Sequence, residues 1–125
     1  MGMVPSRLAQ WPCQIRLVPA EAPYFDGADL LIAADCSAFA YGNFHADFLR
    51  NRIALIGCSQ AGEGDYTEKL TQIFAKNRIR SVTLVRMEVP CCDGLEKAVR
   101  RALKQSEKEI PLQTVILSTG GKILE

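Results

Sequence analysis

The 125 residues contain no CxxC pair, no GxGxxG and no Gly-Lys-Ser/Thr loop; histidine occurs once, and the formal net charge is only +1. So even a charge balance leaves no electrostatic footprint for nucleic acid or for an anionic membrane surface. No apolar run approaches the roughly 18 residues that a membrane span requires, and the opening stretch MGMVPSRLAQWPCQI lacks a signal-peptide core. A cytoplasmic protein without nucleic-acid or membrane partners is expected. Gly57, Gly62 and Gly64 lie between a strand-like and a helix-like run, but Glu63 places a repelling carboxylate where a phosphate would sit. Nucleotide binding is therefore not expected either.

What the chain does have is cysteine. Five thiols stand at Cys13, Cys36, Cys58, Cys91 and Cys92, and an odd number in a reducing compartment argues against a disulfide framework and for metal or redox chemistry. Their surroundings are regular. Ala28 to Ala34 and Ile53 to Gly57 are compact apolar runs read as buried strands, and Ser81 to Val89 is a third, ended by Pro90. Thr114 to Leu117 reads as a fourth, and Gln14 to Val18 as a short strand-like run in an otherwise irregular segment covering residues 1–27. Helical spacing joins Tyr41, Phe44, Phe48 and Leu49 in one short helix carrying His45, with Asn43 as a possible cap. Tyr66, Leu70, Ile73, Phe74 and Asn77 share a second helical face, and Leu95, Ala98, Val99, Ala102 and Leu103 a third. Asp65 with Glu68, and Asp93 with Glu96, have the spacing of capping boxes.

Strand and helix alternating in this way imply one domain over residues 1–125. It should be a three-layer α/β fold with an open, mostly parallel sheet of four or five strands and helices on both faces, Rossmann-like or flavodoxin-like. Ligand sites in such sheets form beyond the carboxyl ends of the strands. Cys36, Cys58 and the pair Cys91-Cys92 each follow a different expected strand, so one rim should gather four sulfurs. His45 is close enough in sequence to Cys36 to add a nitrogen ligand, with Asp35 and Asp47 as its candidate hydrogen-bond partners. Unpaired N–H groups at a helix start near Gly94 would stabilise a thiolate there, lowering its pKa below the free value of about 8.5. Cys13, beside Trp11, and Met87 are read as packing residues.

The runs ADLLIAADCSAFAYGNFHADFL (28–49), IALIGC (53–58) and VTLVRMEVPCCDGL (82–95) resemble the carboxyl-terminal domain of bacterial and archaeal ferredoxin-like iron-sulfur proteins. That resemblance implies an anaerobic redox setting, with Cys36, His45, Cys58, Cys91 and Cys92 as candidate ligands. The cluster-binding ferredoxin segment of that group is missing here. SQAGEGD follows Cys58 where the group has a Pro-Lys stretch, and Asp93 stands in the place of a glycine.

Three functions are carried forward. The first is a domain binding an iron-sulfur cluster or zinc through Cys36, Cys58, Cys91 and Cys92, with His45 as a further metal ligand, in the service of a redox partner protein such as a ferredoxin. The second is a thiol-based redox enzyme whose nucleophile is Cys91 or Cys92, resolved by Cys36 or Cys58. In the third, the aromatic residues Phe39, Tyr41, Phe44 and Phe48 form the face of a protein interaction module.

Overall fold

The computed structural model describes residues 3–58 and 66–124. Four strands pair in parallel in the order β2-β1-β3-β4. They are β1 (Ala28–Ala34), β2 (Ile53–Gly57), β3 (Ile79–Met87) and β4 (Leu112–Leu117). Phe25, Leu31, Ile32, Leu55, Phe74 and Leu84 are fully buried at the centre. The first two strands have the expected bounds. β3 starts two residues earlier than expected because Ile79 pairs with Ala28, and β4 starts two residues earlier because Leu112 pairs with Val82.

Between the strands run α1 (Ser37–Ala40), α2 (Thr67–Lys76) and α3 (Asp93–Gln105). Helix α2 buries Leu70, Ile73 and Phe74, and α3 buries Leu95, Ala98, Val99 and Ala102, as their spacing requires. The two helices pack against each other and so share one face of the sheet. Topology explains the choice. The chain steps one way from β1 to β2 and the other way from β2 to β3 and from β3 to β4; right-handed crossovers then put the first connection on one face and the next two on the opposite face. Helical structure therefore covers both faces, thickly on the α2–α3 side and thinly on the other.

The thin side departs from the sequence reading. One helix through residues 39 to 50 was expected, but α1 ends at Ala40, a turn passes through Gly42, and a π-helical turn spans His45–Leu49. Gly42 has too much backbone freedom to carry a helix through. The aromatic side chains still pack: Phe48 lies 5.2 Å from Tyr41 and 5.6 Å from Phe44, ring centre to ring centre. Asn43 does not cap the turn through its backbone partners but donates its side-chain amide to Asp47 at 2.9 Å.

The Gln14 to Val18 run forms a single bridge from Gln14 to Ile56 and then closes into a turn through Leu17 and Val18 N–H groups on the Gln14 carbonyl. It belongs to a strap along the free edge of β2. Ile56 donates to the Cys13 carbonyl and accepts from Ile15, both at 2.9 Å. The Gln10 amide group completes the strap by donating to the Ala54 carbonyl at 2.6 Å and accepting from the Ala54 N–H at 3.3 Å. A glutamine side chain thus imitates a neighbouring strand and keeps that edge from pairing elsewhere.

Candidate functional site

The strand order places a switch point between β1 and β3, where the outgoing loops diverge to opposite faces, the place where ligand sites form in open α/β sheets. Cys36 leaves β1 there, two residues after Ala34, and Cys91 and Cys92 leave β3 in the 3-10 turn Pro90–Cys92. Cys58 directly follows β2, next door to β1.

The other three thiols lie within electrostatic reach of Cys36. The Cys36 thiol is pushed up by burial first, then by the charge of Asp35, with smaller contributions from Cys91 and Cys58. Burial also comes first in pushing up Cys92; a hydrogen bond to the Met87 backbone opposes it, and Cys91 and Cys36 add to it. Cys36 is therefore the hub, within electrostatic reach of the other three. The lowered thiolate pKa expected at the helix start does not hold for Cys92. Cys92 is 5% exposed, and removing a thiolate from water costs more than the helix terminus returns.

Exposure differs across the set. Cys36 is exposed, Cys58 and Cys91 are half-buried, and Cys92 is buried. Among the described residues, no group of three or more His, Cys, Asp or Glu side chains stands at metal-holding geometry. The donor chemistry suits a soft metal, since several thiols from three strand ends share one rim and their charged forms repel. The side chains as placed share a neighbourhood and not a coordination sphere.

Two residues that the sequence reading missed shape this rim. Arg86 lies on the α3 side of β3 with its side chain 11% exposed. It pairs with Asp93 at 2.8 Å and Glu96 at 3.0 Å, and it donates to the carbonyls of Met87 at 3.0 Å and Val89 at 3.1 Å. Its guanidinium thus braces the loop that carries Cys91 and Cys92. Burial works against its charge, and the bonds to Glu96 and Asp93 outweigh that penalty. A cation flanked by the apolar residues Leu84, Val85 and Met87 was the available signal. The expected Asp93–Glu96 capping box does not form, because Arg86 claims both carboxylates; the helix N-cap is Cys92, without a side-chain cap bond.

Tyr66 is the other. Its hydroxyl donates to the Cys58 carbonyl and accepts from the Cys58 N–H, both at 3.2 Å. Gly57 makes this clamp possible, since a Cβ there would come within 3.0 Å of the Tyr66 ring and of Ile15. The expected cap of α2 at Asp65, and the glycines at 62 and 64, fall outside the described residues.

His45 lies elsewhere in the contact network. Its Nδ1 accepts the Arg7 N–H at 3.1 Å, tying the amino-terminal arm to the π-helical turn. Asp47 takes hydrogen bonds from Tyr41 at 2.6 Å and Asn43 at 2.9 Å and does not orient the imidazole. Asp35 is exposed beside Cys36. Cys13 is half-buried in the β2 strap, and Met87 is buried in the core. Of the aromatic residues proposed as a docking face, Phe44 and Phe48 are buried at 4% and 6%, and Phe39 stands 93% exposed.

An open parallel sheet with crossovers to both faces and a side-chain cluster at its switch point defines a doubly wound α/β protein. Residues 22–125 match the family model described as a Rossmann-like domain, and the chain belongs to that family. A protein of Archaeoglobus fulgidus described as uncharacterized is 29% identical over 115 residues, a span of 91% of this chain and 81% of the relative. No solved structure matches the chain. Family membership bears out the α/β fold, and no helix among the described residues is long and apolar enough to cross a membrane.

Proposed function

We propose that Cys36, Cys58, Cys91 and Cys92 hold a thiolate-ligated metal, either zinc or an iron-sulfur cluster, and that the domain serves a redox partner protein such as a ferredoxin. The observation that carries this reading is the gathering of thiols from three strand ends around Cys36 at the switch point. Packing alone does not call for thiols from three strand ends at one rim, whereas a soft cation offsets both the burial of thiolates and the repulsion between them. The likeness of residues 28–49, 53–58 and 82–95 to the cysteine-bearing domain of ferredoxin-like iron-sulfur proteins supports it further. When bound, an iron-sulfur cluster would supply one-electron chemistry, and zinc would supply a structural tie. The chain's own residues position the donors: Arg86 braces the Cys91-Cys92 loop, and Tyr66 fixes the Cys58 backbone. His45 has less support as a ligand, because its Nδ1 is engaged by Arg7. The exposed Phe39, three residues beyond Cys36, gives a partner an apolar foothold beside the thiols.

Metal analysis of anaerobically purified protein tests this reading. Stoichiometric iron or zinc is expected, lost when Cys91 and Cys92 are both replaced by Ser, and a visible absorption band separates a cluster from zinc. Metal-free protein that passes electrons as well as the purified form would refute it.

The electrostatic influence of Cys91 on Cys36 favours a second reading, a dithiol oxidoreductase. Cys91 would attack a substrate disulfide and release one thiol, and Cys36 would then displace the second thiol and leave a Cys36–Cys91 disulfide. The burial of Cys92, which pushes its thiol up, favours Cys91 over Cys92 as the nucleophile. Turnover of a small disulfide by metal-free protein, abolished in Cys91→Ser, distinguishes this reading from the first.

A further inference from the structure

The geometry points to a second ligand site, for a small molecule carrying an oxyanion, at the amino-terminal end of the sheet, away from the thiol rim. A cavity of about 540 Å³ opens there on the thin side of the sheet. That volume lies within the range of small-molecule pockets, roughly 300–1,000 Å³. Register puts polar side chains on one face beneath it: Asp29 beside Ser81 across β1 and β3, and Thr83 beside Gln113 across β3 and β4. A parallel sheet normally covers both faces with apolar side chains, so a polar row here is out of keeping with packing alone.

The hydrogen-bonding capacity left over in this cavity decides the ligand's charge. Both acids in the lining are spent: Asp29 on Arg80 and Ser81, and Asp47 on Tyr41 and Asn43. Arg52 donates to the Asp47 and Phe48 carbonyls at 3.2 and 2.9 Å and fixes the wall. Arg50 is exposed at the mouth, and its guanidinium has no hydrogen-bond or ion-pair partner among the described residues. Thr83 is only 5% exposed and lines the cavity, yet its hydroxyl has no hydrogen-bond partner among the described residues. The hydroxyl opens to the cavity instead of being sealed in the core, and a ligand oxygen there can bond it. With Asp29 paired to Arg80, and with Arg50 and Arg52 outnumbering the remaining carboxylate of Asp47 in the lining, the complementary group is an oxyanion, phosphate or carboxylate, on a body whose polar atoms meet Thr83 and Gln113. This site does not depend on the thiol reading.

Isothermal titration of the full chain with inorganic phosphate and, separately, with succinate tests it, with ionic strength held constant by sodium chloride. One of the two is expected to bind saturably at one site with a Kd at or below the order of 1 mM, and the one that binds tells phosphate from carboxylate. Arg50→Gln is expected to weaken it about tenfold, and Thr83→Val, which keeps the shape and removes the hydroxyl, by a similar factor. Circular dichroism checks that both variants fold. Replacing Cys36 and Cys91 by Ser should leave this affinity unchanged, which separates its failure from that of the metal reading. Absence of saturation with either anion, or an affinity unchanged in both Arg50→Gln and Thr83→Val, overturns it.

Discussion

Replacing Arg86 by Met removes the brace of the cysteine loop while keeping most of the side-chain volume. Four bonds disappear: two to carboxylates and two to the carbonyls of Met87 and Val89. Breaking a fully buried ion pair by deleting one partner costs about 3–5 kcal/mol. Here the Asp93 side chain is 54% exposed and recovers hydration, and Glu96, 24% exposed, keeps Arg100 at 3.0 Å. The Val89 carbonyl still accepts the Cys92 N–H at 3.2 Å, so the expected loss is about 2–4 kcal/mol, most of it from the Met87 carbonyl and the half-paired Glu96. With a urea slope of about 1.5 kcal/mol per molar, the unfolding midpoint should fall by roughly 1.3–2.7 M. Arg86→Lys should fall between, since an ammonium keeps the charge and loses the fork that reaches two carboxylates and two carbonyls together. A local readout separates bracing from general stability. Cys92, 5% exposed in the native protein, should react with a thiol reagent in Arg86→Met faster than global unfolding allows, because the loop opens by itself. A midpoint shift equivalent to under about 0.5 kcal/mol, with Cys92 still protected, would show that the loop holds its shape without the guanidinium.

Three further outcomes are expected. Hydrogen bonds from Arg80 and Ser81 hold the Asp29 carboxyl down to about 2. A depressed carboxyl stabilises the fold above its unfolded value near 4, and that stabilisation is lost as pH falls through about 2. Because Arg80 is 71% exposed, solvent screening reduces the contribution to about 1 kcal/mol. Asp29→Asn should therefore lower stability by about 1 kcal/mol at pH 7 and by nearly nothing at about pH 2, and an equal gap at both pH values in urea titrations would contradict the assignment. Tyr66→Phe removes both bonds to the Cys58 backbone and should cost about 1–2 kcal/mol while reducing metal retention, whereas unchanged retention would detach Cys58 from the site. Phe74→Ala, in the fully buried layer between α2 and the sheet, should cost about 3–5 kcal/mol by calorimetry without altering metal stoichiometry in the fraction that stays folded.

The amino-acid sequence by itself determined the strands and their burial. Runs such as Leu30 to Ala34 and Ile53 to Gly57 are apolar on both faces, which the interior of a parallel sheet accommodates, and the bounds of β1 and β2 were legible to the residue. The stripes on α2 and α3 were equally legible, because a period of 3.6 commits a helix face to the core before any partner is known. It also placed cysteines after three strands, and from that alone a common rim could be expected.

Tertiary structure decided everything that depends on who else arrives. Asp93 and Glu96 have the spacing of a capping box, but a guanidinium from the preceding strand binds both more strongly than the helix N–H groups can. A helix start promises a stabilised thiolate, yet Cys92 is buried, and desolvation acts on it more strongly than the dipole. His45 lies nine residues from Cys36 in sequence, and only the path of the amino-terminal arm showed that its Nδ1 belongs to Arg7. Local pattern sets what a residue can do in its own element. Competition among distant partners for the same charge or hydrogen bond is settled only when the chain has brought them together.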